Sequence, residues 1–154
     1  MAAVRIRLHT VPRGPYAAYQ YRFDLEVRGS STGRWHSLPC LIDTATEFTT
    51  VPRAVLPTAL TIPRLPPTDQ LPKLGQDYLG SLFYRFPSRY CDSTRISNLE
   101  FHCEQCRVSN QHMHRVHLAL RDILAHFEVT VDNVAHHLVL TLLPRTTGFP
   151  VAGP

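Results

Sequence analysis

The chain has 154 residues, with 16 Lys and Arg against 12 Asp and Glu, a formal charge of +4 and a sequence pI near 9.1. At 44% hydrophobic and 18% charged residues it can bury a core and shows no disorder bias. There is no apolar run of about 18 residues to span a membrane, and the opening Met1-Ala2-Ala3-Val4-Arg5 soon alternates charge with hydrophobe instead of building a secretory leader. The expectation is a single cytoplasmic domain over residues 1–143 with a tail at 144–154 and no membrane partner. Cys40, Cys91, Cys103 and Cys106 are then expected as free thiols. Basic residues are scattered along the sequence, which argues against a nucleic-acid partner. Protonating all nine histidines would add nine charges to the +4, so self-repulsion is expected to weaken the fold in acid.

Seven Gly against 13 Pro point to extended segments broken by turns rather than to long helices. Val4, Ile6 and Leu8 alternate with Arg5 and Arg7, and Tyr19 to Val27 alternate with Gln20, Arg22, Asp24 and Glu26. Period two with one apolar face predicts strands lying on a core. Gly29-Ser30-Ser31-Thr32-Gly33 offers a hairpin turn, and Trp35 to Ile42 resumes the extended pattern until Asp43. Prolines at 57, 63, 66, 67 and 72 predict an exposed loop from Pro57 to Pro72. Leu79 to Phe86 reads as a strand. Leu99, Phe101 and Cys103 alternate until the phase slips to Cys106 and Val108, which predicts a β-bulge near Glu104.

Leu120, Ile123, Leu124 and Phe127 fall at i, i+3, i+4 and i+7 and predict one short helix of about two to three turns. Val129 to Val131, a turn at Asp132-Asn133, and Leu138, Leu140 and Leu142 follow as closing strands. The fold class predicted is mainly β, a barrel or sandwich with one late helix.

The segment richest in chemistry is Leu41-Ile42-Asp43-Thr44-Ala45-Thr46-Glu47-Phe48, an apolar strand running into a carboxylate and a small polar loop. It resembles the active-site loop of retropepsin-like aspartic proteases, hydrophobic-hydrophobic-Asp-Thr/Ser-Gly-Ala/Ser. Leu118-Ala119-Leu120-Arg121-Asp122-Ile123-Leu124 resembles the family's second element, in which Arg-Asn or Arg-Asp opens the late helix. Leu74-Gly75-Gln76-Asp77-Tyr78-Leu79-Gly80 falls where the family's flap lies, within about 70–86. Phe127 to Asn133 and Leu138 to Leu142 resemble the closing strands of bacterial single-domain members, so the likeness covers roughly residues 4–143. Two positions depart from the pattern: Ala45 stands for the loop glycine, and Leu120 or Ala119 for the glycine before Arg121.

The resemblance implies a closed β-barrel with one short C-terminal helix, acting as an aspartic endopeptidase on peptide or protein substrates without cofactor or metal. Two carboxylates about 3 Å apart share one proton, so that one serves as base and the other as acid. A chain with one such loop must form a homodimer that brings two copies of Asp43 together. Thr44 would brace the paired loops, Ala45 and Thr46 would complete them, and Leu74, Gly75, Gln76, Asp77 and Tyr78 would cover the substrate. Arg121 would pair with Glu47 beneath the loop, next to Asp122. The alternative is a catalytically silent member that binds extended peptides or a protein partner. Cys103-Glu104-Gln105-Cys106 with His112 and His114 carries zinc-ligand types, but a strand places i and i+3 on opposite faces and no second Cys pair follows. Bulged-strand cysteines are the stronger reading.

Overall fold

The computed structural model describes residues 2–72 and 75–144. Among the described residues nine strands form one sheet: β1 (Ala3–Arg13), β2 (Tyr16–Arg28), β3 (His36–Asp43), β4 (Thr49–Pro52), β5 (Tyr78–Arg85), β6 (Phe101–Ser109), β7 (Val116–Ala119), β8 (Phe127–Asp132) and β9 (His137–Leu142). Two one-turn helices accompany them, α1 (Thr94–Ser97) and α2 (Leu120–Leu124). The strand order is β3-β7-β4-β6-β5-β2-β1-β9-β8, and β3 also pairs with β2, so six strands hydrogen-bond in a closed circuit. β1, β9 and β8 continue the sheet outward from β2. Within the circuit β3 lies parallel to β7 and β4 parallel to β6, while β4 and β7 meet antiparallel.

The alternating sequence explains the core. Phe23, Leu25 and Val27 of β2 and Leu38, Cys40 and Ile42 of β3 turn inward, and their polar neighbours face out. Tyr84 stacks on Phe101 with ring centroids 5.4 Å apart, and Phe86 meets Phe127 edge-on at 5.7 Å. Aromatic pairs of this geometry add about 0.5–1.5 kcal/mol beyond the area they bury. β1 runs well past Leu8 to Arg13, where Gly14 at φ +54° makes the turn into β2. This turn needs a residue tolerant of the left-handed region.

The phase slip at Glu104 is a real bulge. Gly80 faces Cys106 and Leu82 faces Cys103, so two steps along β5 oppose three along β6. Cys103 and Cys106 are therefore both fully buried although three apart, while Glu104 and Gln105 are exposed.

Two expectations require correction. The helix is only Leu120–Leu124: Phe127 opens β8, and its ring enters the core from a strand. The proline-rich stretch is not wholly exposed, because Leu60 and Ile62 are buried. It lies along the start of β5, with Ser81 N–H donating to the Pro63 carbonyl at 3.2 Å and Leu65 N–H to that of Leu79 at 2.9 Å. Gly80 permits this approach, since a Cβ there would sit 2.6 Å from the Pro63 oxygen. Among the described residues no helix is long and apolar enough to cross a membrane.

Candidate functional site

Asp43 is the last residue of β3, and Thr44 to Phe48 carry the chain to β4. The parallel pairing sets Asp43 opposite Ala119, the last residue of β7, and Leu41 opposite His117. Leu38, Cys40 and Ile42 face the core, so Asp43 projects outward, with its side chain 24% exposed. Its Oδ1 accepts the Ala45 N–H at 2.9 Å, and its Oδ2 lies 2.8 Å from His117 Nδ1. Burial pushes the Asp43 carboxyl upward, but the His117 hydrogen bond, the Ala45 amide, the His117 charge and the Thr46 amide together outweigh it. Asp43 is therefore held below the ordinary aspartate value.

The loop tolerates alanine. Among the described residues the only non-glycine with positive φ is His136, so Ala45 lies outside the left-handed region, where its methyl would cost about 1–2 kcal/mol. Thr44, Ala45 and Glu47 are exposed, and Thr46 donates its hydroxyl to the Phe48 carbonyl at 3.0 Å.

Beneath the loop the carboxylate that matters is Asp122. Buried Thr49 donates its hydroxyl to Asp122 Oδ2 and accepts the Ala119 N–H at 3.0 Å, which ties β4, β7 and the first turn of α2 together. Cys103 Sγ adds a contact to Asp122 Oδ2 at 3.5 Å. Burial raises the Asp122 pKa despite the Thr49 and Cys103 hydrogen bonds that favour its ionised form. The expected pair of Glu47 with Arg121 does not form: both side chains are exposed, and among the described residues no ion pair joins them. Solvation of two surface charges competes well with such a contact.

The residues expected to cover the substrate are divided. Leu74 lies outside the described residues, and Gly75 (φ +64°) and Gln76 form an exposed turn. Asp77 is anchored to β6, accepting from Arg107 at 2.8 Å and from the Asn110 amide at 2.9 Å. Tyr78 begins β5, and its buried hydroxyl donates to the Ile62 carbonyl at 2.8 Å. Among the described residues between β4 and β5 there is no hairpin.

In sequence His117 reads as a solvated loop or edge histidine and Thr49 as an ordinary strand residue, whereas the fold sets His117 against Asp43 and Thr49 against Asp122. The outward phase of His117 between buried Val116 and Leu118 was legible as a strand pattern, but its partner 74 residues away was not. Cys103 and Cys106 are buried, His112 and His114 pack on each other with ring centroids 5.0 Å apart, and all four cysteines are free thiols. Among the described residues no three His, Cys, Asp or Glu are grouped to hold a metal ion. No protein-family model matches the chain, and no curated protein matches its sequence.

Proposed function

We propose that this chain is a retropepsin-like aspartic endopeptidase that works as a homodimer. The observation that carries the reading is the Asp43 loop: a carboxylate at the end of a strand, projecting outward, with Oδ1 held by the amide two residues on. That is the contact the loop glycine of the family would make, and Ala45 makes it without left-handed backbone. The closed circuit of six strands with its two parallel pairs supports the same reading at the level of fold.

In the dimer two Asp43 carboxyls would share one proton. The ionised one takes a proton from water as the oxygen attacks the peptide carbonyl carbon, and the protonated one gives its proton to the carbonyl oxygen. Collapse of the resulting diol then breaks the C–N bond as a carboxyl protonates the leaving amine. The test is hydrolysis of a diverse peptide library across about pH 4–7, the range in which a shared proton is expected. Wild type should cleave and Asp43→Asn should not. Equal cleavage by both would refute the reading.

One observation favours a second reading, a silent domain that binds extended peptides. His117 holds Asp43 Oδ2 at 2.8 Å and favours its ionised form, and a carboxylate so held takes up the shared proton less readily. Peptide binding without turnover by folded wild-type dimers would establish this alternative.

A further inference from the structure

The basic residues scattered through the sequence converge in space. Arg5 and Arg7 project from the outward face of β1, and the β1–β9 register sets Arg7 opposite His137. With Arg22 and Arg89 they line a cavity of about 530 Å3, whose remaining wall includes His9 and the Tyr90-Cys91-Asp92 turn. Such a volume falls within the 300–1,000 Å3 typical of small-molecule sites.

The charge in this cavity is poorly neutralised. Four guanidinium groups face one lining carboxylate, Asp92, whose Oδ1 already accepts the Ala3 N–H at 2.8 Å. Arg89 is paired with Asp24 at 2.7 Å. Among the described residues no carboxylate forms a salt bridge with Arg5, Arg7 or Arg22, although Asp132 lies near enough to Arg5 and His137 for their charges to favour its ionised form, and the residues outside the described set contain no Asp or Glu. Arg22 has only the Gln20 side-chain oxygen, at 2.9 Å. Burial and the charge of Arg115, which lies outside the cavity, both disfavour its cation. Holding like charges together is unfavourable unless something of opposite sign joins them.

We propose that this cavity is a binding site for a multiply charged phosphate anion, a pyrophosphate group or the phosphates of a nucleotide. Guanidinium groups are suited to this chemistry because each offers planar paired donors that match two phosphate oxygens. Three unpaired arginines arranged on two adjacent strands can contact more than one phosphoryl group, which favours a diphosphate over a single phosphate. The site is independent of the peptidase reading. Arg22 on β2 pairs directly with Leu41 of β3, two residues before Asp43.

The test is isothermal titration of the full chain at about 0.15 M ionic strength, where surface attraction is screened beyond roughly 8 Å. Probes are inorganic pyrophosphate, inorganic phosphate and ATP, against wild type, Arg7→Gln, Arg22→Gln and Arg13→Gln. Arg13 lies at the far end of β1 outside the cavity, so its variant removes the same charge. Saturable one-to-one pyrophosphate binding, weaker for phosphate, is expected. Each of Arg7→Gln and Arg22→Gln should weaken it about tenfold or more, and Arg13→Gln less than about twofold. ATP binding more tightly than pyrophosphate identifies a nucleotide as the ligand, and equal affinity identifies the diphosphate alone. If Arg22→Gln fails to fold, Arg5→Gln takes its place. Absence of saturable binding to wild type, or equal weakening by all three variants, overturns the proposal.

Discussion

Thr49→Val removes the hydroxyl beneath the Asp43 loop and keeps the side-chain shape, so it isolates one hydrogen-bonding hub. Two buried groups lose their partner: the Ala119 N–H, which Thr49 accepts at 3.0 Å, and Asp122 Oδ2, to which Thr49 donates. An orphaned buried amide costs about 1–3 kcal/mol, and a lost bond to a charged group about 1.5–3 kcal/mol. The Cys103 contact still reaches Asp122, which places the carboxylate's share at the low end. A total near 3 kcal/mol follows, a large part of the roughly 5–15 kcal/mol typical of a domain. With a urea m-value near 2 kcal/mol/M, the midpoint should fall by about 1.5 M.

The pH dependence of this loss has a definite sign. Asp122 has a raised pKa in the folded chain, so its ionisation cost is absent below the unfolded value and fully present above the folded value. Removing the Thr49 donor enlarges that cost. The Thr49→Val deficit should therefore be greatest near pH 7 and shrink as pH falls through the carboxyl range. Thr49→Ser, which keeps the hydroxyl, should stay within about 1 kcal/mol of wild type. A Thr49→Val loss below about 1 kcal/mol at pH 7, or one that grows in acid, would refute the hub.

Three further outcomes follow from named contacts. Gly29→Ala would place a Cβ 2.0 Å from the Thr61 carbonyl oxygen; a loss of about 2–3 kcal/mol should lower Tm by roughly 5–10 °C, and a fall under about 2 °C would contradict the packing. His117→Ala removes the strongest interaction holding Asp43 ionised, so the pH profile of peptide cleavage should move to higher pH; an unchanged profile would mean His117 does not bear on the reacting carboxylate. Ala45→Gly should leave cleavage within about threefold and lower stability by about 0.4–1 kcal/mol through added unfolded-state freedom. A large gain in cleavage would instead show the Ala45 methyl crowding the dyad.

The alternating segments were readable because period two with one buried face leaves little choice of structure. Cys103 and Cys106 were readable for the same reason: a broken phase with apolar residues on both sides requires a bulge. The helix was overread because one turn followed by a strand happens to place Phe127 at the i+7 position, although Leu124 is 40% exposed and Phe127 is buried from β8. What the sequence hid were contacts between distant positions. Asp43 meets His117 and Thr49 meets Asp122 only because β3 and β4 each pair with the late strand β7. The arginine cavity was hidden likewise, since residues 5, 7, 22 and 89 are brought together by the sheet and not by proximity in the chain.

The central claim is a reaction centre shared between two chains, and subunit mixing tests it most directly. Wild-type chains at fixed concentration are equilibrated with increasing Asp43→Asn chains, and peptide cleavage is measured per wild-type chain. If each centre needs an Asp43 from both partners, mixed dimers are inert, and an equal mixture should retain about half the activity per wild-type chain, falling further as the variant is increased. Activity per wild-type chain that stays constant through the whole titration would contradict the shared dyad.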